Sequence, residues 1–181
     1  ATIKKMAEEV GVSSVFDQST MKRIEKNMGN KDSIMFIISK SYREADAYLK
    51  DNERKATAAI VLAGSWIESL YILTQISKTM PIKEVYQRIA EQKHPIDNLI
   101  KILTPYYKEQ DNDFVAMADL LVELANEYDG IDYKYEYRKP THDIKNKITT
   151  VNSISELVIT KEQVQRITKL TEQLRQSIIN K

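Results

Sequence analysis

The chain has 181 residues with 27 basic and 26 acidic side chains, so its formal net charge of +1 argues against binding to a nucleic-acid backbone, which requires a strongly basic surface. This length suits one domain with an ordinary hydrophobic core, and we expect a single helical domain over residues 1–181. Because cysteine is absent, disulfides, thiolate metal sites and cysteine nucleophiles are excluded, while the redox compartment stays open.

The N-terminal segment is a charged helical pattern with no apolar signal core, and the chain shows no run of about 18 apolar residues. We therefore expect no membrane insertion by this fragment. A start at Ala1 suggests a mature or trimmed protein. An export signal or lipid anchor would then lie upstream of it.

Four glycines and four prolines fall where the helical periodicity changes, which is typical of a chain of helices. A short helix is expected at about residues 18–28, where Asp17 can act as the N-cap. An amphipathic helix follows at about residues 31–50, with a broad apolar stripe along one side.

Residues 53–77 are apolar almost all the way round, so this helix is expected at the centre of the bundle. It contains the single tryptophan, Trp66, and also Gly64, which costs roughly 1 kcal/mol relative to alanine inside a helix. We interpret Gly64 as a packing position that allows close approach of a neighbouring helix or an aromatic ring. Trp66 would fill the space beside it.

Glu68 is the exception on this apolar helix, because a carboxylate there must reach water, find a partner or shift its pKa upward. Our preferred interpretation is a buried carboxylate that is satisfied by Arg43 or Tyr42 of the preceding helix. Exposure to solvent and a catalytic or ligand-binding role are the alternatives. The neighbouring sequence supplies no second catalytic group.

One helical phase runs from residue 82 to 103 through Pro95, which lacks an amide hydrogen and clashes with the carbonyl four residues earlier. The sequence therefore predicts a kinked or locally broken helix. His94 lies at this bend, where a pocket could form. Since the only other histidine is not at ligand spacing, we favour a solvated elbow and expect no metal or cofactor.

A further helix is indicated by the apolar stripe from Phe114 to Tyr128, with most of its acidic residues on the opposite, solvated face. Residues 131–152 then change character and predict a long extended connection. In this segment Tyr133, Tyr135 and Tyr137 alternate with charged residues. They could pack one face of an extended strap on the bundle, which we favour, or form an exposed aromatic binding surface.

The C-terminal helix is expected at residues 160–180. Thr160 and Gln163 form a capping box, and Ile159 and Val164 a hydrophobic staple. Together these elements predict an all-α bundle of about six helices, with the apolar helix at its centre and the extended connection before the last helix.

Catalytic motifs are missing from the sequence. The segment Ala63–Ile67, "AGSWI", lacks the glycine after the serine that a nucleophile elbow needs, and neither a Gly-rich phosphate loop nor an HExxH pair occurs. These absences favour a protein that is not an enzyme.

Residues 29–72 resemble a segment of an uncharacterised family of helical bacterial cell-envelope proteins, often lipoprotein-like. The similarity rests on Gly64, Trp66, Glu68, Leu70 and Tyr71. It implies an exported, all-helical protein at the periplasmic or outer-envelope side, although a cytoplasmic location is also compatible with the residues. It implies no catalytic residues and no established activity.

Three functional hypotheses follow from these observations. The first is a non-enzymatic interaction module that binds an unknown protein partner. A contiguous exposed apolar patch would support this hypothesis. The second is a small-molecule sensor or carrier, with a pocket walled by Trp66 and Tyr86 and an enclosed cavity near Pro95. An enzyme that uses Glu68 or His94 is the third and least favoured reading.

Overall fold

A computed structural model describes residues 2–107 and 112–180 of the protein. The chain divides into two compact units, Ala1–Leu62 and Ala63–Lys181, and each is described by itself. Helices dominate both units, as the sequence predicts, but the second unit also contains four short strands. The expected all-α class is therefore correct only in its helical part.

The first unit consists of α1 (Thr2–Val10), α2 (Gln18–Lys26), α3 (Lys31–Asp51) and the beginning of α4 (Lys55–Thr79). Asp17 caps α2 by accepting a hydrogen bond from the Thr20 amide at 2.7 Å, as its position in the sequence predicts. The core of this unit is small. It is formed by Ala7, Val12, Val15, Leu49 and Ala58.

Gly11 makes the turn after α1 possible. Its φ is +80°, a left-handed conformation that only glycine adopts without strain. A Cβ atom at this position would also lie 2.6 Å from Nη1 of Arg54, which donates a hydrogen bond to the carbonyl of Val10. The arginine thereby holds the end of α1 beside the start of α4.

The second unit contains the remainder of α4, then α5 (Lys83–Ala90), α6 (Lys93–Leu103), a 3₁₀ turn (Thr104–Tyr106), α7 (Asn112–Asp129) and α8 (Lys161–Ile179). α7 packs between α6 and α8. The core of this unit includes the almost completely buried side chains of Ile89, Ile96, Leu121, Leu124, Ile167 and Leu174. They come from the apolar stripes of α5, α6, α7 and α8.

The break at Pro95 is confirmed. α5 ends at Ala90 and α6 begins at Lys93, so the proline is the third residue of a new helix. Its missing amide hydrogen is harmless there, because the first amides of a helix have no partner within the helix.

The helix before the C-terminus also matches its prediction. α8 begins after Thr160, whose hydroxyl accepts a hydrogen bond from the Gln163 amide at 3.2 Å. The Gln163 side chain accepts in return from the Thr160 amide at 2.8 Å, which completes the capping box.

α4 is not the fully buried rod that its composition predicts. In the second unit one of its faces is buried, through Ala63, Ile67, Leu70, Thr74 and Ser77. The opposite face stays open although it is apolar, and Ile72 is 52% exposed. By length and composition this helix could cross a membrane, but the core helix of a soluble protein passes the same test. Of the apolar 18-residue segment of this helix, 28% is buried.

The connection before α8 is a two-stranded ribbon and not an irregular strap. β1 (Asp132–Glu136) pairs antiparallel with β4 (Ile154–Val158), and β2 (Thr141–Asp143) pairs antiparallel with β3 (Ile148–Thr150). We call residues 132–158 the arm. Its pairing joins strands that are distant in sequence, which explains why a helical reading of the chain did not predict it.

The two halves of the arm are joined across a bulge. Four residues, 137–140, lie opposite three, 151–153, and Pro140 in the longer strand cannot donate to a ladder. Side chains fill the gap: the Arg138 amide donates to Oγ of Ser153 at 3.1 Å, and Nδ2 of Asn152 donates to the Lys139 carbonyl at 2.8 Å. The arm is thus hydrogen-bonded along its length.

Candidate functional site

Gly64 and Trp66 do not form the packed pair that the sequence suggests. Gly64 is exposed, and a Cβ atom placed there would have no heavy atom of a neighbour within 4 Å. The interpretation of Gly64 as a close-packing position was therefore wrong. Trp66 is half-buried, and its Nε1 donates a hydrogen bond to Oε1 of Gln92 at 3.1 Å.

Glu68 is a surface carboxylate with a strong partner, but the partner is not the predicted one. Arg175 of α8 donates two hydrogen bonds to it, from Nε at 2.6 Å and from Nη2 at 3.2 Å. The guanidinium carbon also lies 4.3 Å from the centre of the Tyr71 ring. Glu68 therefore clamps α4 to α8, and its carboxylate is exposed and not buried as predicted.

His94 lies at the start of α6 and is exposed, as expected for a solvated elbow. Its Nε2 is hydrogen-bonded to the hydroxyl of Tyr133, and the two rings stack with their centres 5.8 Å apart. The neighbouring Lys93 donates to the carbonyls of Asp129 and Ile131, at 3.2 and 2.8 Å. This corner of α6 fastens the base of the arm to the helices.

Tyr86 lines a groove of about 420 Å³ between the end of α4, α5 and α8. Three lysines, Lys78, Lys161 and Lys169, share the lining with the carboxylate of Glu172. Nζ of Lys78 lies 2.5 Å from Oε1 of that carboxylate, whereas the other two lysines have no carboxylate within 4.0 Å among the described residues. Hydrogen bonds from Lys78 and Gln75 hold the pKa of Glu172 below its ordinary value.

These candidate residues lie in separate places. Trp66 and Pro95 do not line the Tyr86 groove, so the pocket that was expected between them is not the groove that forms. Within the described parts of the chain, no three His, Cys, Asp or Glu side chains are grouped so that they could hold a metal ion.

The arm carries the most exposed aromatic surface of the second unit. Tyr133, Tyr135 and Tyr137 are 48%, 64% and 69% exposed, and they follow one another at the two-residue spacing that places side chains on one face of a strand. Tyr133 is bonded to His94 of the helical body, whereas no hydrogen bond or ring contact from Tyr135 or Tyr137 to the helices is present among the described residues. The tyrosines thus form an exposed aromatic surface and not the packed strap that we favoured.

The tip of the arm combines apolar and basic residues. The turn at residues 144–147 is stabilised by Asp143, whose carboxylate accepts hydrogen bonds from the Asn146 amide and side chain at 3.1 and 2.8 Å. These bonds lower the pKa of the Asp143 carboxyl. Ile144 is 89% exposed and lies in this turn with Lys145 and Lys147. Val151, which is 74% exposed, lies at the bulge.

The arm also has an open backbone edge. Nε2 of Gln87 donates to the Leu157 carbonyl at 2.7 Å, so at Leu157 the backbone of β4 points away from β1. Leu157 is directly opposite Tyr133, and in an antiparallel pair two opposed residues point their backbone groups either both towards each other or both outward. This direction alternates from one residue to the next along a strand. Tyr133 and Tyr135 therefore direct their own N–H and C=O groups outward on the β1 side. In the described residues nothing outside the arm is hydrogen-bonded to those groups.

Comparison with protein-family models, with curated proteins and with solved structures finds no match for this chain. The function must therefore be argued from the side chains and the backbone edge described above.

Proposed function

We propose that the protein is a non-enzymatic interaction module and that the arm is the surface with which it binds a protein partner. One observation carries this proposal: a two-stranded ribbon presents exposed tyrosines next to an unpaired strand edge. Tyrosine is enriched in protein interfaces because its ring is large and rigid and its hydroxyl can form hydrogen bonds. Strand edges bind partners by adding a strand to the sheet.

The arrangement of the polar candidates supports a binding role over a catalytic one. Glu68 is occupied by Arg175, and His94 is bonded to Tyr133, so each has a partner that fixes part of the structure. A catalytic base needs a nucleophile or a substrate atom within hydrogen-bond reach, and such groups converge in one cleft. Here the two side chains lie on different elements with different neighbours.

The exposed apolar residues of the helices support the same proposal. In the first unit Met35, Phe36 and Ile38 of α3 are exposed, and Ile72 and Ile76 of α4 are exposed in the second. Exposed apolar surface on a soluble domain often marks a binding region. We assign the partner to the arm because exposed aromatic side chains and unpaired backbone groups coincide there.

We further propose an extracytoplasmic location, on the strength of the resemblance of residues 29–72 to helical envelope proteins. Determination of the full precursor sequence and fractionation of the source cells would test it. A signal peptide and recovery with the envelope fraction are expected, and recovery in the cytoplasm would contradict it.

Photo-crosslinking in the source organism tests the binding role. A photoreactive amino acid is placed at Tyr137 in one variant and, as a matched control, at the exposed Gln173 of α8 in another. The variant at 137 is expected to give one or a few discrete crosslinked species that the control lacks. If neither position gives a discrete species, or both give the same ones, the arm is not the binding surface.

A second candidate function, a carrier of a small anion, is favoured by the Tyr86 groove. Its volume of about 420 Å³ falls in the usual range of ligand pockets, roughly 300–1,000 Å³. Lys161 and Lys169 bring positive charge that the described residues do not neutralise. An anionic metabolite could meet both ammonium groups and the Tyr86 hydroxyl.

Thermal denaturation with pools of anionic metabolites tests this second candidate. A ligand at about 100 times its dissociation constant stabilises the native state by about 2.7 kcal/mol, which raises the melting temperature by several degrees. The shift should disappear in a K161A/K169A variant. Trp66 is a poor reporter for this groove because it is not part of the lining.

A further inference from the structure

We propose that the partner of the arm is a second copy of this chain, with the two β1 strands paired antiparallel edge to edge about Tyr135. The two ribbons would then form one four-stranded sheet across a twofold axis. This inference rests on the proposed function of the arm as a binding surface, and it names the partner.

The charges of β1 and the two residues after it are self-complementary. The segment Asp132–Arg138 reads "DYKYEYR". When it is paired antiparallel with itself about Tyr135, Asp132 faces Arg138 of the second copy and Lys134 faces Glu136 of the second copy. The twofold axis repeats both contacts, so all four charged pairs are of opposite sign. Opposite charges directly across a sheet stabilise the pairing.

The neighbouring registers are disfavoured by the same charges. Pairing about Lys134 places that lysine against itself and Asp132 against Glu136 of the second copy. Pairing about Glu136 places that glutamate against itself and Lys134 against Arg138 of the second copy. Like charges directly opposite destabilise a sheet, so these two registers are disfavoured. Pairing about Tyr133 or about Tyr137 gives two opposite-charge contacts, whereas pairing about Tyr135 gives four and is therefore favoured.

The backbone N–H and C=O groups of β1 point in the directions that this register requires. Tyr133 and Tyr135 direct their N–H and C=O groups away from β4, as the hydrogen bond from Gln87 to the opposing Leu157 shows. In the proposed register Tyr135 pairs with itself and Tyr133 pairs with Tyr137 of the second copy. The outward-facing groups of Tyr135 are thus placed to exchange hydrogen bonds with those of Tyr135 of the second copy, and those of Tyr133 face the chain at Tyr137 of the second copy.

The tyrosines add contacts on one face of the joined sheet. Directly opposed residues of an antiparallel pair lie on the same face, so six tyrosine side chains, three from each copy, would form a continuous row there. Such a row explains why Tyr135 and Tyr137 are so exposed in the single chain. Cross-strand aromatic pairs are among the more stabilising contacts of a sheet.

Two charge-reversal variants and their mixture test this proposal. In K134E the introduced carboxylate faces Glu136 of the second copy, and in E136K the introduced ammonium group faces Lys134 of the second copy. Each change turns two attractive contacts of the dimer into repulsive ones. In a 1:1 mixture of the variants, a heterodimer recovers an opposite charge at both contacts.

Sedimentation velocity is measured up to about 1 mM protein, because small interfaces are weak. The wild type is expected to dimerise, each variant alone to bind at least tenfold more weakly, and the mixture to recover the dimer. K134E also changes the contact with Glu156, which opposes Lys134 within the arm, but a damaged arm cannot explain recovery on mixing. A monomeric wild type, unaffected single variants, or a mixture that stays monomeric would each overturn the proposal.

A pair of proline variants tests the β1 edge, its amide and its central tyrosine ring together, independently of the charges. Y135P removes an outward amide on the β1 edge, and S155P removes the outward amide of the opposing residue on the β4 edge. Only Y135P is expected to abolish the dimer, and equal effects would count against the β1 edge. If the wild type is monomeric but position 137 still crosslinks to another protein, the second copy is refuted as partner while the binding role of the arm stands.

Discussion

Replacement of Tyr128 by phenylalanine should stabilise the protein. Tyr128 lies in α7 and is 1% exposed, and its hydroxyl has no hydrogen-bond partner among the described residues. A buried polar group without a partner costs the free energy of removing it from water, about 1–3 kcal/mol. The same burial raises the pKa of Tyr128 far above its ordinary value. Phenylalanine has nearly the same shape and lacks the hydroxyl.

The size of the gain follows from two opposing terms. The full desolvation cost is recovered because less than 1 Å² of the oxygen is exposed. Against this stands the loss of a few van der Waals contacts at about 0.1–0.2 kcal/mol each. Y128F should therefore raise the free energy of unfolding by about 1–2 kcal/mol. In a protein of this size each kcal/mol raises the melting temperature by roughly 2–4 °C.

Urea denaturation and calorimetry of Y128F would measure this change. Y107F is the matched control, because the Tyr107 hydroxyl donates to Asp119 at 2.8 Å on the surface. No gain is expected from Y107F. If Y128F instead lowers the free energy of unfolding by 1 kcal/mol or more, on the order of one lost hydrogen bond, the hydroxyl has a partner and the reasoning from an unpaired buried group fails.

Three further predictions concern α8 and its contacts. Q163A should lower the free energy of unfolding, measured by urea denaturation, by about 1–3 kcal/mol, because it removes the capping box and the hydrogen bond to the Gly130 carbonyl. A decrease below about 0.5 kcal/mol would refute the role assigned to Gln163. R175K should lower the melting temperature through loss of the forked contact with Glu68, and an unchanged value in both R175K and E68Q would show that this clamp contributes nothing. The lowered pKa of Glu172 stabilises the native state at any pH above the pKa of this carboxyl in the unfolded chain, and this contribution is lost as the pH falls through the lower native pKa. E172Q should therefore flatten the loss of stability in acid; melting temperatures that fall with pH as steeply as in the wild type would contradict this.

Local signals in the sequence predict much of the helical part. The stripe that ends at Tyr128 predicts α7, the capping box at Thr160 predicts α8, and Pro95 predicts the break between α5 and α6. Each of these features acts within four residues along the chain. The bounds agree with the structure because backbone geometry and side-chain period decide them locally.

The parts that sequence reasoning missed depend on distant partners. Arg175 lies 107 residues from Glu68, and no local pattern links them. The apolar surroundings of Gly64 suggested burial, but composition does not tell which face of a helix a neighbour covers. The alternation at Tyr133–Tyr137 was visible as an extended pattern, whereas its pairing with β4 became clear only from the strand register.

Amide hydrogen exchange at the edge of the arm, measured by nuclear magnetic resonance at increasing protein concentration, tests the central claim most directly. The amide of Tyr135 points outward on the open edge, and the amide of Ser155, directly opposite, points outward on the other side. Exchange at Tyr135 should slow as the concentration rises, while exchange at Ser155 stays the same. Exchange at Tyr135 that is independent of concentration would contradict pairing of this edge with a second copy.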